Sequence, residues 1–181
     1  MVDDDVTVRR ARPAEAEALV ELILAAGVAF RDVGMAAVSD NEPPLAADLA
    51  AVAERGTAWV AADAADQPVG CVLVEVVDGN AHVEQVSVHP SHAGRRLGAR
   101  LVDHVEGWAR EQGLSALTLT TFVEVPWNGP YYRRLGFVPI PENVLTPGLA
   151  RARAEERAVG LDVWGRTAMR REVRRDGAPV A

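Results

Sequence analysis

The segment 83–101 constrains this chain more than any other, because an extended apolar run leads through a glycine and arginine turn directly into a helical pattern. Gly94 and Gly98 stand in this turn and carry no side chain, while Arg95 and Arg96 add local positive charge. Backbone N–H groups at the start of a helix lack partners within the helix, so they can bind an anion that approaches closely. The segment therefore predicts a pyrophosphate site, with a simple helix-capping turn as the alternative.

Two common phosphate-binding motifs do not fit this segment. No Gly-Lys-Ser/Thr sequence follows the turn, which excludes a P-loop. A Rossmann fingerprint is also disfavoured, because the preceding strand belongs to a predicted meander and no acidic residue ends an obvious next parallel strand.

The strands before the turn are predicted from three runs rich in β-branched and aromatic residues. These runs cover 57–62, 69–77 and 82–88, and the sequences Asp66-Gln67-Pro68 and Asp78-Gly79-Asn80 separate them. Such separators favour tight turns, so the three runs are expected to form an antiparallel meander.

The remaining elements complete a mixed fold. Periodicity and breakers predict helices at 14–29, 45–55, 97–112, 131–135 and 151–159, and strands at 6–8, 117–123, 137–140 and 167–173. The fold class is therefore α/β (α+β), with a mixed, mostly antiparallel central sheet of about six to seven strands flanked by about four helices. We expect one domain over 1–181, with a frayed tail at 174–181.

A second motif, in the segment 126–137, makes the chain resemble a known family. Asn128 is followed by Tyr132, and three residues separate that tyrosine from Gly136-Phe137. Together with the turn upstream, this pattern resembles the GNAT superfamily, with a cofactor-binding core at about 82–140. The chain departs from the family's turn in two places: Ala93 stands where the family has Arg or Gln, and Arg96 stands where it has the middle Gly.

The resemblance implies that acetyl-CoA is the cosubstrate and that its acetyl group passes to a primary amine by direct attack in a ternary complex. The backbone of Val86, Ser87 and Val88 would pair with the pantetheine arm, and Asn128 would contact the pantetheine amides. The pyrophosphate would bind the turn formed by Ala93, Gly94, Arg95, Arg96, Leu97, Gly98 and Ala99.

The same resemblance assigns two proton-transfer roles. Glu84 is the candidate base, because it lies two residues before Val86 and projects from the same face of the strand. Tyr132 is the candidate acid that protonates the leaving thiolate. The alternatives are a solvated strand carboxylate for Glu84 and a packed aromatic ring for Tyr132.

Charge and cysteine content limit the partners. A formal net charge of −7 disfavours nucleic acid and anionic membranes. The single cysteine, Cys71, excludes an internal disulfide and a cysteine-based metal cluster, and no histidine pair has the spacing of a zinc site. We expect a cytoplasmic enzyme without a metal, and exposed sheet edges favour a homodimer paired through the last strand.

Two further functions stay open on the sequence. The altered turn at Ala93 and Arg96 is compatible with a module that binds or senses CoA but catalyses weakly. Alternatively, the acceptor is an amine on a protein rather than on a small molecule, which would require an open groove.

Overall fold

The computed structural model describes residues 5–174. Within these residues the strands are β1 Thr7–Arg10, β2 Ala58–Ala62, β3 Pro68–Val77, β4 Asn80–Val88, β5 Ala116–Phe122, β6 Val138–Ile140 and β7 Arg166–Glu172. The α-helices are α1 Ala16–Gly27, α2 Ala36–Ser39, α3 Ala46–Glu54, α4 Leu97–Glu111, α5 Gly129–Arg134 and α6 Pro147–Ala158.

The strands follow the order β1-β2-β3-β4-β5-β7-β6 in a seven-stranded sheet. The pairs β1–β2, β2–β3, β5–β7 and β6–β7 are antiparallel, whereas β4 and β5 are parallel. The predicted mixed, mostly antiparallel sheet is therefore confirmed. Four helices have nine or more residues; the short α5 overlaps the helix predicted at 131–135, and the short α2 was not predicted.

The chain forms two compact units, whose described parts are residues 5–74 with 85–104 and residues 75–84 with 105–174. In the first unit, α1 and α3 bury their apolar faces against β2 and β3. Leu19, Leu49, Val60 and Cys71 belong to this core and are 0–2% exposed. Burial of such side chains supplies most of the stabilisation of a unit of this size.

The hairpin that joins β3 to β4 confirms a turn predicted from sequence. Asp78 and Gly79 form a two-residue loop with φ of 50° and 74°, the left-handed values that a type I′ hairpin requires. The Asp78 carboxylate also accepts a hydrogen bond of 2.8 Å from the Gly148 N–H in the first turn of α6.

The second unit holds a cluster of ion pairs around Arg153, whose side chain is 2% exposed. This guanidinium bonds the carboxylates of Glu142, Glu156 and Asp162 at 2.5–3.0 Å. Burial alone would raise the pKa of Glu156, but hydrogen bonds from Arg166 and Thr120 outweigh it and the pKa is lowered. Glu156 is thus held ionised, because its buried charge is fully partnered.

A second buried carboxylate in this unit, Glu106 on α4, is 2% exposed. It accepts hydrogen bonds from the Arg171 side chain at 3.0 Å and from the Arg174 backbone N–H at 2.9 Å. These bonds tie the end of the chain after β7 to the second half of α4.

Some predicted boundaries were wrong. The helix predicted at 14–29 is α-helical only over Ala16–Gly27 and continues as a 3-10 helix at Val28–Val33, which ends at Gly34 with φ of 75°. Helix α6 begins at Pro147 rather than at residue 151, because proline is favoured in the first turn. The last strand is Arg166–Glu172 rather than 167–173. It pairs with β5 on one side and β6 on the other, so it is not the sheet edge through which a homodimer was expected to pair. Most of the tail predicted to fray, 175–181, lies outside the described residues.

Candidate active site

The predicted pyrophosphate turn, in the first unit, follows the end of β4. The His89 N–H donates to the Val69 carbonyl at 2.9 Å, and a 3-10 helix over Pro90–His92 comes next. Gly94 and Arg96 then both adopt left-handed backbone conformations, with φ of 78° and 59°. Left-handed residues within a turn direct neighbouring N–H groups into a concave, anion-binding arrangement.

Arg96 is the unusual residue of this turn. A positive φ is rare for a residue with a side chain, since its Cβ crowds the following carbonyl oxygen. The resemblance placed Arg96 where the family has glycine, and the backbone here has the conformation that glycine favours. The turn therefore keeps a glycine-like shape although an arginine occupies the position.

Helix α4 supplies further N–H donors directly after the turn. Its first intrahelical bond runs from the Arg100 N–H to the Arg96 carbonyl, so the N–H groups of Leu97, Gly98 and Ala99 precede the helical ladder. The Leu97 and Ala99 side chains are buried, whereas Ala93 and Gly94 are exposed. The buried side chains hold the start of α4 in place, and the exposed residues leave the turn accessible to an anion.

The end of β4 in the same unit carries the three residues predicted to pair with pantetheine. Val86 and Val88 are half-buried, and Ser87 is 4% exposed, with its Oγ accepting a hydrogen bond from Gln85 at 2.8 Å. Nearby on β3, burial raises the pKa of the Cys71 thiol to about 12, although the Ser87 backbone donates a hydrogen bond to it. A thiol of that pKa is a poor nucleophile at neutral pH, which disfavours an acyl-cysteine mechanism.

Glu84 lies in the second unit, just past the point where β4 pairs with β5. The paired positions are Ala81 with Leu117 and His82 with Thr118. The Glu84 side chain remains 47% exposed. Partial burial, together with the carboxylates of Glu75, Glu155 and Glu156, raises the pKa of Glu84 to about 7. A carboxylate with this pKa can accept a proton at neutral pH.

His82 is a neighbour of Glu84 to which sequence analysis assigned no role, because the histidines were considered there only as zinc ligands. It is 3% exposed, its Nδ1 lies 2.9 Å from the Thr118 Oγ1, and its Nε2 lies 3.6 Å from the Glu84 Oε1. Burial lowers the pKa of His82 despite the nearby charges of Glu156 and Asp78, so the ring is neutral at pH 7. The signal available in the sequence was the spacing of His82 and Glu84, because residues i and i+2 of a strand project from one face.

Asn128 stands at the start of α5 in the second unit, yet it does not act as a side-chain cap. Its Oδ1 is buried and has no hydrogen-bond partner within the described residues. Buried acceptors are nearly always satisfied, so this one marks a place where a ligand donor is expected.

Tyr132 is 8% exposed and its ring makes edge-to-face contacts with Tyr131 and Phe137. Its backbone N–H donates to the Asn128 carbonyl at 2.9 Å, which joins the two residues in the first turn of α5. Burial, with a smaller effect of Tyr131, raises the pKa of the Tyr132 hydroxyl above its usual value. The hydroxyl therefore keeps its proton at neutral pH.

The predicted residues are divided between the units. Val86, Ser87, Val88 and the turn 93–99 belong to the first, and Glu84, Asn128 and Tyr132 belong to the second. Among residues 5–174, no three His, Cys, Asp or Glu side chains are grouped so as to hold a metal ion. No helix within that range has the length and apolar character needed to cross a membrane.

The comparison with known families agrees with this geometry. Residues 23–137 match the Acetyltransferase (GNAT) family, and they include the turn, Glu84, Asn128 and Tyr132. The chain belongs to the GNAT acetyltransferase family.

Individual relatives are more distant. An "IAA acetyltransferase" of Azospirillum brasilense is 33% identical over 92 residues, which are 50% of this chain and 60% of that protein. The match thus spans less than two thirds of that relative's length.

Solved structures share the fold. N-acetylglutamate synthase from Neisseria gonorrhoeae, complexed with coenzyme A and N-acetyl-glutamate, superposes with a TM-score of 0.71 at 17% identity, over 94% of this chain and 35% of that one. A GNAT acetyltransferase from Staphylococcus aureus Mu50 gives a TM-score of 0.70 at 14% identity, over 93% of this chain and 99% of that one.

Proposed function

We propose that this chain is an acetyl-CoA-dependent N-acetyltransferase that acetylates a primary amine by direct attack in a ternary complex. The match of residues 23–137 to the GNAT family carries the acetyl-transfer assignment, and Glu84, a half-exposed carboxylate whose pKa is raised to about 7, supports the presence of a base. An amine arrives as an ammonium ion at neutral pH and loses a proton before it attacks. A base is most effective when its pKa lies near the working pH.

The cofactor is assigned to the first unit and to Asn128. The pyrophosphate binds the N–H groups at the start of α4, with Arg95 and Arg96 supplying positive charge in a chain whose net charge is −7. The backbone of Val86–Val88 receives the pantetheine arm. The unpartnered Oδ1 of Asn128 accepts a hydrogen bond from a pantetheine amide.

In the chemical step, the amine nitrogen bonds to the acetyl carbon, and the bond from that carbon to the CoA sulfur breaks. The ammonium proton passes to Glu84, directly or through a water. The departing thiolate takes a proton from Tyr132, whose raised pKa keeps the hydroxyl protonated until that moment. The nitrogen loses its second proton as the amide forms; this proton returns to Tyr132 through water, and Glu84 releases its proton to solvent, so both side chains regain their starting forms.

Calorimetric titration with acetyl-CoA, with NADH and ATP as controls, tests cofactor binding first. We expect saturable binding of acetyl-CoA alone. A panel of amines, small molecules and peptides with free amino groups, is then screened for release of the CoA thiol. Absence of acetyl-CoA binding would overturn the proposal.

Two substitutions test the proton-transfer roles. Glu84→Gln should lower kcat by about 100-fold or more and remove the rise in rate through pH 7, because general-base catalysis contributes about 10²–10⁴. Tyr132→Phe should lower kcat while sparing the affinity for acetyl-CoA. Glu111→Gln and Tyr131→Phe serve as matched controls. Binding without thiol release from any acceptor would instead support a CoA-binding module.

A further inference from the structure

The neighbourhood of Glu84 contains a neutral, buried group that the proposed reaction does not use. His82 precedes Glu84 by two residues on β4, so both side chains project from one face of the strand. The His82 Nε2 lies 3.6 Å from the Glu84 Oε1, and His82 itself is 3% exposed. A buried ring has few rotamers open to it, so its nitrogen is fixed beside the carboxylate.

Thr118 on β5 contacts the other nitrogen of this ring, and its hydroxyl can donate or accept a hydrogen bond there. The Thr118 side chain is 1% exposed, and its Oγ1 lies 2.9 Å from the His82 Nδ1. If the threonine hydroxyl donates to Nδ1, the proton of the neutral ring resides on Nε2 and faces Glu84. The opposite tautomer would direct a lone pair at a carboxylate, which is repulsive.

The charged groups around Glu84 and His82 are otherwise acidic. Glu75 of β3 and Glu155 and Glu156 of α6 face Glu84, and Asp78 and Glu156 face His82. The charge of Glu156 is already neutralised by Arg153 and Arg166. An N–H directed at Glu84 therefore opposes the effect of its acidic neighbours.

We propose that His82 is a positioning residue for Glu84: its Nε2–H, held by the Thr118 hydroxyl at Nδ1, orients the carboxylate and favours its ionised form. The inference rests on the proposed role of Glu84 as the base. It assigns His82 no proton transfer of its own, since a ring with its proton on Nε2 presents no acceptor to Glu84.

The consequence concerns the pH at which Glu84 ionises. The N–H carries a partial positive charge, and such a charge near a carboxylate favours the ionised form and lowers its pKa. Because the 3.6 Å contact is longer than a hydrogen bond, removing the N–H should raise the pKa of Glu84 further by only a few tenths of a unit. His82→Leu should raise it, whereas His82→Gln should restore much of the effect because the glutamine amide also donates.

The test is a carboxyl ¹³C NMR titration of Glu84 in the full chain, with its resonance assigned by its loss in Glu84→Gln. Wild type, His82→Leu, His82→Gln and Thr118→Val are compared. The proposal is supported if the pKa of Glu84 is higher than in wild type in His82→Leu, close to wild type in His82→Gln and intermediate in Thr118→Val. An unchanged pKa in His82→Leu, or in Thr118→Val where His82→Leu does not fold, would overturn it.

The titration needs no substrate, so it separates this inference from the proposed function. A Glu84→Gln variant with undiminished turnover would refute the role of Glu84 as the base, whatever the titration shows. Where turnover is present, His82→Leu should move the kcat/KM limb to higher pH by the shift seen in the titration, with an unchanged KM for acetyl-CoA. If His82 served packing alone, His82→Leu would change neither the pKa of Glu84 nor the pH of the kcat/KM limb.

Discussion

The substitution Arg96→Gly should stabilise the protein even though it removes a charged side chain from the candidate site. Arg96 has φ of 59°, in the left-handed region. A residue with a Cβ pays about 1–2 kcal/mol for this conformation, whereas glycine adopts it freely. Glycine also loses more backbone entropy on folding, by about 0.5–1 kcal/mol. We therefore expect a net gain of about 0.5–1 kcal/mol.

Thermal unfolding followed by circular dichroism measures this gain. For a chain of this size, about 1 kcal/mol corresponds to roughly 2–4 °C in Tm, so Arg96→Gly should raise Tm by about 1–4 °C. Arg96→Ala removes the same charge but keeps the Cβ, and it should give no such rise. Arg95→Gly, at a position without a positive φ, should lower Tm. Equal Tm values for Arg96→Gly and Arg96→Ala would refute the reasoning from backbone conformation.

Two further predictions concern polar groups of the second unit. Because the pKa of Glu156 is lowered by folding, its contribution is present above the unfolded pKa, about 4.3, and is lost as pH falls below it. Glu156→Gln should therefore destabilise the protein at pH 7 by about 1–3 kcal/mol, because Arg153 and Arg166 lose a charged partner while Arg153 keeps Glu142 and Asp162. The difference in unfolding free energy from wild type should become smaller in urea titrations near pH 4. Asn128→Leu should leave Tm unchanged or higher, since it removes an unsatisfied acceptor, but should weaken acetyl-CoA binding about 5- to 10-fold. Asn80→Leu is its control: Asn80 bonds Arg170 and the Asp78 carbonyl, so this change should lower Tm, and similar losses of stability at both asparagines would contradict the assignment.

The elements that sequence predicted well depend on local chemistry. Asp78-Gly79 specified a two-residue hairpin because few other residue pairs accept two positive φ values. The long α4 followed from its apolar periodicity. The sequence did not predict the 3-10 helix and α2 of the region 28–44, because these short elements have no repeating apolar pattern long enough to detect.

The residues of the candidate site were proposed from the sequence, whereas their electrostatics came only from the structure. The turn and Glu84 could be found from motif and strand position. The pKa of Glu84 could not, because it depends on Glu155 and Glu156 of α6, which are remote in the chain. The contact between His82 and Glu84 could be suspected from their spacing, but the burial of His82 against Thr118 depends on the parallel pairing of β4 with β5.

Local departures from the most stable arrangement occur at the residues assigned to the reaction. Arg96 has a strained backbone, Asn128 has an unsatisfied acceptor, and Glu84 has a raised pKa. Glu106 and Glu156, which are given no role in the reaction, are more buried than Glu84 and yet have lowered pKa values, because arginines satisfy them. Stability alone would favour polar groups that are fully paired, as Glu106 and Glu156 are, at every position. In the proposed reaction the turn at Arg96 binds the pyrophosphate and Asn128 binds a pantetheine amide, so these two places should limit stability in the free protein and gain most when acetyl-CoA binds. Glu84 gains only when it accepts the proton of the amine.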